Sequence, residues 1–170
     1  MMLETLTDVG IYSEPGKGTQ INFAHTSGQS NASDFIGVYP NDKQTGISLT
    51  HNMESPNPFS DLEMTIDNMC KQTSYPISLQ SQSSTTLAVT SFTIRETGTT
   101  VDLPARILLP NSRNIASNFA AVIGKAPFKP NTNYTVKFIG SVAGGKVGKG
   151  FNVDKSWSFT TASKNWMTCN

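Results

Sequence analysis

The sequence predicts an all-β fold, an antiparallel β-sandwich or barrel, on three observations. Apolar residues recur with period 2 in short runs along the chain, as in half-buried strands with one face to a core and one to water. Turn-forming clusters separate those runs: Ser13 to Gly18 (SEPGKG), Asn41 to Gly46 (NDKQTG), Ser55 to Pro58 (SPNP) and Gly144-Gly145. The thirteen glycines and nine prolines are spread as punctuation and not pooled in a linker. Many short strands without alternating helices read as a sandwich or barrel.

Taken in order, the runs are Gln20-Ile21-Asn22-Phe23, Ile47/Leu49, Leu62/Met64/Ile66, Ile77/Leu79, Leu87/Val89, Val101/Leu103, Ile107/Leu109, Tyr134/Val136/Phe138 and Trp157/Phe159. Each puts apolar groups on one face and Ser, Thr, Lys or Asp on the other. The phase slips between Val89 and Phe92, which predicts a bulge or local twist. One stretch carries a helical pattern instead. Ile115, Phe119, Val122 and Ile123 sit at helical spacing behind Asn114, a residue type that caps helices. Ala116 to Gly124 also reads as a turn followed by a short buried strand. The expectation is a helical turn near Asn114 to Phe119 and then a strand.

Thr26 to Ser33 (TSGQSNAS) has no large apolar side chain and marks a boundary. The domain reading is residues 1–33 as an N-terminal β-hairpin segment and linker, 34–162 as the sandwich, and 163–170 as a C-terminal tail. A hairpin alone is marginal in water, so this one must dock on the sandwich or belong to a preceding domain.

Composition narrows the function classes. Charged residues are 15% of the chain, below the usual quarter, and Ser, Thr and Asn fill the gap. That suits an extracellular β protein, whose solvent-facing strand positions favour Thr. Thirteen basic and twelve acidic residues give a net charge of +1, and no basic stripe is available to neutralise a phosphate backbone, so nucleic acid is not an expected partner. Lys146, Lys149 and Lys155 read as a solvated hairpin loop. No run of about 20 apolar residues exists, so no membrane-spanning helix is expected. Met1-Met2 leads directly into polar sequence without the apolar stretch of a signal peptide. Either the protein is cytosolic or the chain is a mature or truncated one with an added start Met, and the resemblance given below favours the second.

Chemistry-bearing motifs are sparse, and no cofactor is expected. The two histidines, His25 and His51, have no metal-ligand spacing, and replacing either by Ala is expected to leave any activity unchanged. Nucleophile elbows, phosphate loops and CxxC pairs do not occur. Asp61, Glu63 and Asp67 are the only acidic cluster. Glu63 and Asp67 are the candidate calcium ligands, although they also fit the polar phase of a strand. Cys70 and Cys169 pair if the protein is exported, which would close a loop of about 100 residues. Trp166 and Tyr75 lie outside the core phase and are the candidates for sugar stacking.

Two runs carry structural meaning. In Phe128-Lys-Pro130-Asn-Thr132-Asn-Tyr134-Thr-Val136, Tyr134 opens a strand just after a Pro-Asn turn. That places its hydroxyl to bond backbone a few residues upstream, as in the tyrosine corner of β-sandwiches. In Lys155-Ser-Trp157-Ser-Phe159-Thr-Thr161, Trp157 and Phe159 face the core of the last strand.

With Phe35-Ile-Gly-Val38-Tyr39-Pro40-Asn-Asp42-Lys-Gln44-Thr45-Gly46-Ile47, these runs resemble three blocks of bacterial Ig-like domains in the right order. They span residues 35 to 161. The resemblance implies an immunoglobulin/fibronectin-III-like sandwich. The blend is similar to the C-terminal region of bacterial secreted proteins that begin with a CAP domain (the cysteine-rich secretory protein type), in which a segment like DVGIYSEPGKGTQINF closes the CAP domain. That implies a C-terminal piece of an exported protein, secreted, periplasmic or on the cell surface, with the extra N-terminal hairpin as its remnant. The CAP family's histidine and glutamate cavity residues have no counterpart in this chain. The expected function is a non-catalytic structural or adhesive module. Its partners would be other domains of the same protein, or a surface protein or glycan. A carbohydrate-binding module is the alternative, and a hydrolase would need a histidine in a cleft.

Overall fold

The computed structural model describes residues 35–50, 72–112, 115–144 and 150–165. The N-terminal hairpin reading, Leu62 to Ile66 and Asn114 lie outside the described residues. Eight strands form among the described residues: β1 (Ile36–Tyr39), β2 (Gln44–Ile47), β3 (Ile77–Ser81), β4 (Thr85–Glu96), β5 (Ala105–Leu108), β6 (Phe119–Gly124), β7 (Asn133–Gly144) and β8 (Phe151–Thr161). They make two four-stranded sheets, ordered β1-β3-β6-β5 and β2-β8-β7-β4. This is the Ig-like arrangement: the first edge strand is split between the sheets, and the last three long strands share one sheet.

The split happens at the Pro-Asn-Asp-Lys turn. Asn41 C=O accepts the Gln44 N–H at 3.0 Å, and Lys43 sits in the left-handed region at φ 63°. Before the turn, β1 runs antiparallel to β3; after it, β2 runs parallel to β8. Among the described residues the β2–β8 pair is the only parallel one. Chain direction is fixed by the pairings. A tight turn at Gln82 to Ser84 reverses β3 into β4, and β4, β7 and β8 alternate in direction. Thus β1, β2 and β8 all run the same way. The described chain enters at one end of the sandwich and leaves at the other.

Inward-facing residues of both sheets meet in one core. Ile77, Leu79 and Val122 come from the first sheet, and Phe92, Ile94, Val136, Phe138, Trp157 and Phe159 from the second. The Phe92 ring meets Phe138 edge-on at 5.2 Å and Trp157 at 6.0 Å. The phase slip is a bulge: Val89 pairs Gly140 and Ser91 pairs Ile139, which leaves Thr90 outside the register. Gly140 answers that bulge, since a Cβ there would lie 2.2 Å from the Ala88 carbonyl oxygen.

Two expectations are corrected. The helical spacing around Ile115 makes no helix among the described residues. Residues 115–118 form hydrogen-bonded turns, with Phe119 N–H on the Ala116 carbonyl at 3.2 Å, and Phe119 opens β6. Every residue of β6 after Phe119 is buried, so both faces are apolar and the strand loses the period-2 signature. Val101/Leu103 is also not a strand. Val101 is 73% exposed in the β4–β5 connection, while Leu103 leans on the core and donates its N–H to Ile94 C=O at 2.7 Å. Pro104 comes next and has no N–H for a ladder.

Candidate functional site

The β6–β7 connection is where sequence and geometry meet most closely. Pro130-Asn131 turns the chain, with Asn131 in the left-handed region at φ 49°, which Asn tolerates better than most residues. Tyr134 then enters β7 with its side chain 1% exposed, and its hydroxyl accepts the Lys129 backbone N–H at 2.9 Å. Its ring packs on Phe128 at 4.6 Å and stacks on Phe159 at 5.5 Å. Burial, the largest influence, raises the Tyr134 pKa and keeps the phenol neutral. Thr161 at the end of β8 closes the same corner: its hydroxyl donates to Lys129 C=O and accepts the Thr132 N–H.

Above this corner lies a solvent-open cleft of about 190 Å³ between the β4–β5 and β6–β7 connections. Leu103, Pro104, Ala126 and Pro127 form its apolar walls, and Tyr134 lies at its floor. Glu96 and Lys129 bridge its rim as an ion pair; the hydrogen bond from Lys129 to Glu96 is the main cause of the raised lysine pKa. The exposed pair contributes little to stability.

Trp157 and Phe159 are buried in the core, and the Trp157 Nε1–H meets no acceptor among the described residues. Tyr75 is a correction. It is 5% exposed and belongs to the core, with its ring 5.9 Å from Tyr39. It sits in irregular chain just before β3, where period-2 phase does not govern which side a residue faces. A buried ring offers no stacking platform. Trp166, Glu63, Asp67, Cys70, Cys169, His25 and His51 lie outside the described residues. Among the described residues, no group of three His, Cys, Asp or Glu side chains is arranged to hold a metal ion. No described helix is long and apolar enough to cross a membrane.

The outward face of β4-β7-β8 is polar and cross-linked between strands. Thr97 bonds to Asn133 and Thr135, Asn133 Nδ2 donates to Thr160, and Lys137 pairs with Asp154. Ile139, 39% exposed, is the apolar exception. The long edge strand β4 is covered at both ends. Leu87 N–H donates to Ser117 C=O, the Ser117 hydroxyl donates to Thr85 C=O, and Ile94 C=O is taken by Leu103. The bulge at Thr90 interrupts the stretch between. Such an edge is a poor template for adding a foreign strand.

Sequence reasoning missed a set of buried hydroxyls. Ser74 Oγ accepts the Gly124 N–H at 2.8 Å and donates to Tyr75 C=O, while Thr50 Oγ1 donates to Thr73 C=O at 2.7 Å. Ser81 and Thr85 share a hydrogen bond at 2.7 Å beside Asn118, whose Nδ2 donates to Ser81 C=O. Ser and Thr look alike in sequence whether they face water or satisfy a buried carbonyl. In comparisons with known proteins, no family model matches the chain and no curated protein matches it.

Proposed function

We propose that the chain is a non-catalytic Ig-like module that spaces or docks other parts of an exported bacterial cell-envelope protein, at the cell surface or in the periplasm. The observation that carries this reading is the path of the described residues, in at one end of the sandwich and out at the other. A module so threaded adds length between its two neighbours along a chain. The blunted β4 edge supports the reading, because repeated or crowded modules must avoid edge-to-edge pairing. The resemblance to bacterial Ig-like domains and to CAP-associated C-terminal regions supports the exported setting. Fold alone fixes no function.

Replacement in the exported parent tests it. Exchanging residues 34–162 for an unrelated sandwich of equal length should preserve the parent's function, whereas deletion should impair it. Loss of function on exchange would mean that this surface binds something specific. A glycan array probed with the full chain addresses the carbohydrate alternative, which no longer has Tyr75 to stand on. Binding of one defined glycan class would put that alternative first.

A further inference from the structure

We infer that the chain docks with a second copy of itself across a two-fold axis, each copy setting Val101 into the other's cleft between the β4–β5 and β6–β7 connections. Val101 is 73% exposed, more than any other large apolar side chain among the described residues. A single exposed valine needs no explanation by itself. This one stands on the same connection that supplies Leu103 and Pro104 to the cleft wall. Ala126 and Pro127 line the cleft from the β6–β7 connection and are exposed as well. The hollow, about 190 Å³, falls below the roughly 300–1,000 Å³ of ordinary small-molecule pockets and suits one aliphatic side chain. A knob and a hollow side by side on one surface are what a two-fold contact needs. The rotation that carries one Val101 to the second copy's cleft brings the second copy's Val101 back.

The loop that presents Val101 is held before any partner arrives. Thr99 N–H and hydroxyl both donate to Glu96 C=O, at 3.0 and 2.8 Å. Gly98 takes a left-handed φ of 88° inside that turn. Leu103 N–H, donating to Ile94 C=O at 2.7 Å, ties the returning chain to β4. Valine itself is stiff at χ1, so little freedom is lost on docking. Charge selects the same partner. The exposed Asp102 follows Val101, and the exposed Lys125 lines the cleft beside Ala126. With Glu96 and Lys129, the patch carries two carboxylates and two ammonium groups around an apolar centre. It is neutral in sum and self-complementary: with each Val101 seated, Asp102 of one copy meets Lys125 of the other, twice. Rim pairs of this kind set register more than affinity. A contact built on one side chain from each copy belongs among the small interfaces, below about 1,200 Å² in total, that associate weakly.

Sedimentation equilibrium on the full chain tests the contact, at concentrations raised to about 1 mM so that weak association registers. The mean mass should rise above the 18.4 kDa of one chain toward twice that value. Val101→Asp should hold it at one chain, with circular dichroism unchanged. Asp102→Lys and Lys125→Asp, each alone, set like charges face to face and should stay monomeric. Mixed one to one they restore both pairs in a heterodimer, so the mixture should associate although neither component does. A wild-type chain that stays monomeric throughout would overturn the inference. So would association that survives Val101→Asp, or a mixture no heavier than its parts. Each of these results leaves the spacer reading standing, because that reading is judged by the exchange experiment.

Discussion

Tyr134 shows how one side chain joins sequence, packing and stability. Its ring fills space between Phe128 and Phe159, and its hydroxyl supplies the acceptor for a backbone N–H that the Pro130-Asn131 turn leaves outside any ladder. Tyr134→Phe keeps the ring and removes the acceptor, so it should cost about 1–3 kcal/mol. Tyr134→Ala adds a cavity beneath the β6–β7 connection and should cost about 3–5 kcal/mol. Urea midpoints of the two variants give the ordering, and a Phe variant as unstable as Ala would refute the division between ring and hydroxyl. This residue was legible in the sequence because a Pro-Asn turn, an aromatic and an alternating strand stand next to each other. Tyr75 was not, because nothing local distinguishes an aromatic that closes a core from one that decorates a surface. Ser74 and Thr50 were illegible for the converse reason: their partners, Gly124 and Thr73, lie far along the chain and come close only in the fold.

At the level of elements, strands whose residues alternate apolar with polar announced themselves, β3 included although it is almost wholly buried, and the uniformly apolar β6 did not. β7 and β8 alternate buried and exposed positions almost without error, and their periodicity was plain. β6 is buried on both faces and imitated a helix, and the exposed Val101 imitated the start of a strand. The bulge in β4 was visible as a phase slip, but its complement in β7 was not. Gly140→Ala would push a methyl into the Ala88 backbone carbonyl, which is held in the β4–β7 ladder, and into the ring of the fully buried Phe138. We expect a loss of about 1–3 kcal/mol, read as a lower denaturation midpoint. A Gly140→Ala protein as stable as wild type would show that the ladder gives way freely there. The β2–β8 pair makes a pH prediction. The Ser158 backbone N–H, with the Ser158 hydroxyl and Lys43 behind it, lowers the Asp42 pKa below its ordinary 3.8 despite some opposing desolvation. A lowered folded-state pKa means that the stabilisation is fully present above the unfolded value and is lost as pH falls through the folded one. Between about pH 6 and about pH 3, wild type should therefore lose more stability than Asp42→Asn does. Parallel pH curves for the two proteins would show that the carboxylate contributes nothing there.

For the whole molecule, the question is whether two sheets make one cooperative unit. Their inner faces share a single cluster, in which Ile77, Leu79 and Val122 of one sheet pack with Val136, Phe138 and Trp157 of the other. Neither sheet can expose its face without exposing its partner's, and at about 25 cal/mol per Å² of apolar surface that is a heavy joint cost. The covalent path argues the same way, because the chain crosses between sheets at residues 40–43 and again at each of the β3–β4, β4–β5 and β6–β7 links. Partial unfolding would have to break the core and strain those links while recovering little chain entropy. The described sandwich should thus unfold in one step. A Trp166→Phe background leaves Trp157 as the sole indole, reporting the core of the second sheet, while far-ultraviolet circular dichroism reports strands of both. The two urea transitions should coincide, with a slope of about 1–3 kcal/mol per molar. Trp157 fluorescence that changes well before the dichroism signal would mean that the sheets part first. The shared core would then hold two separable layers together and not one indivisible module.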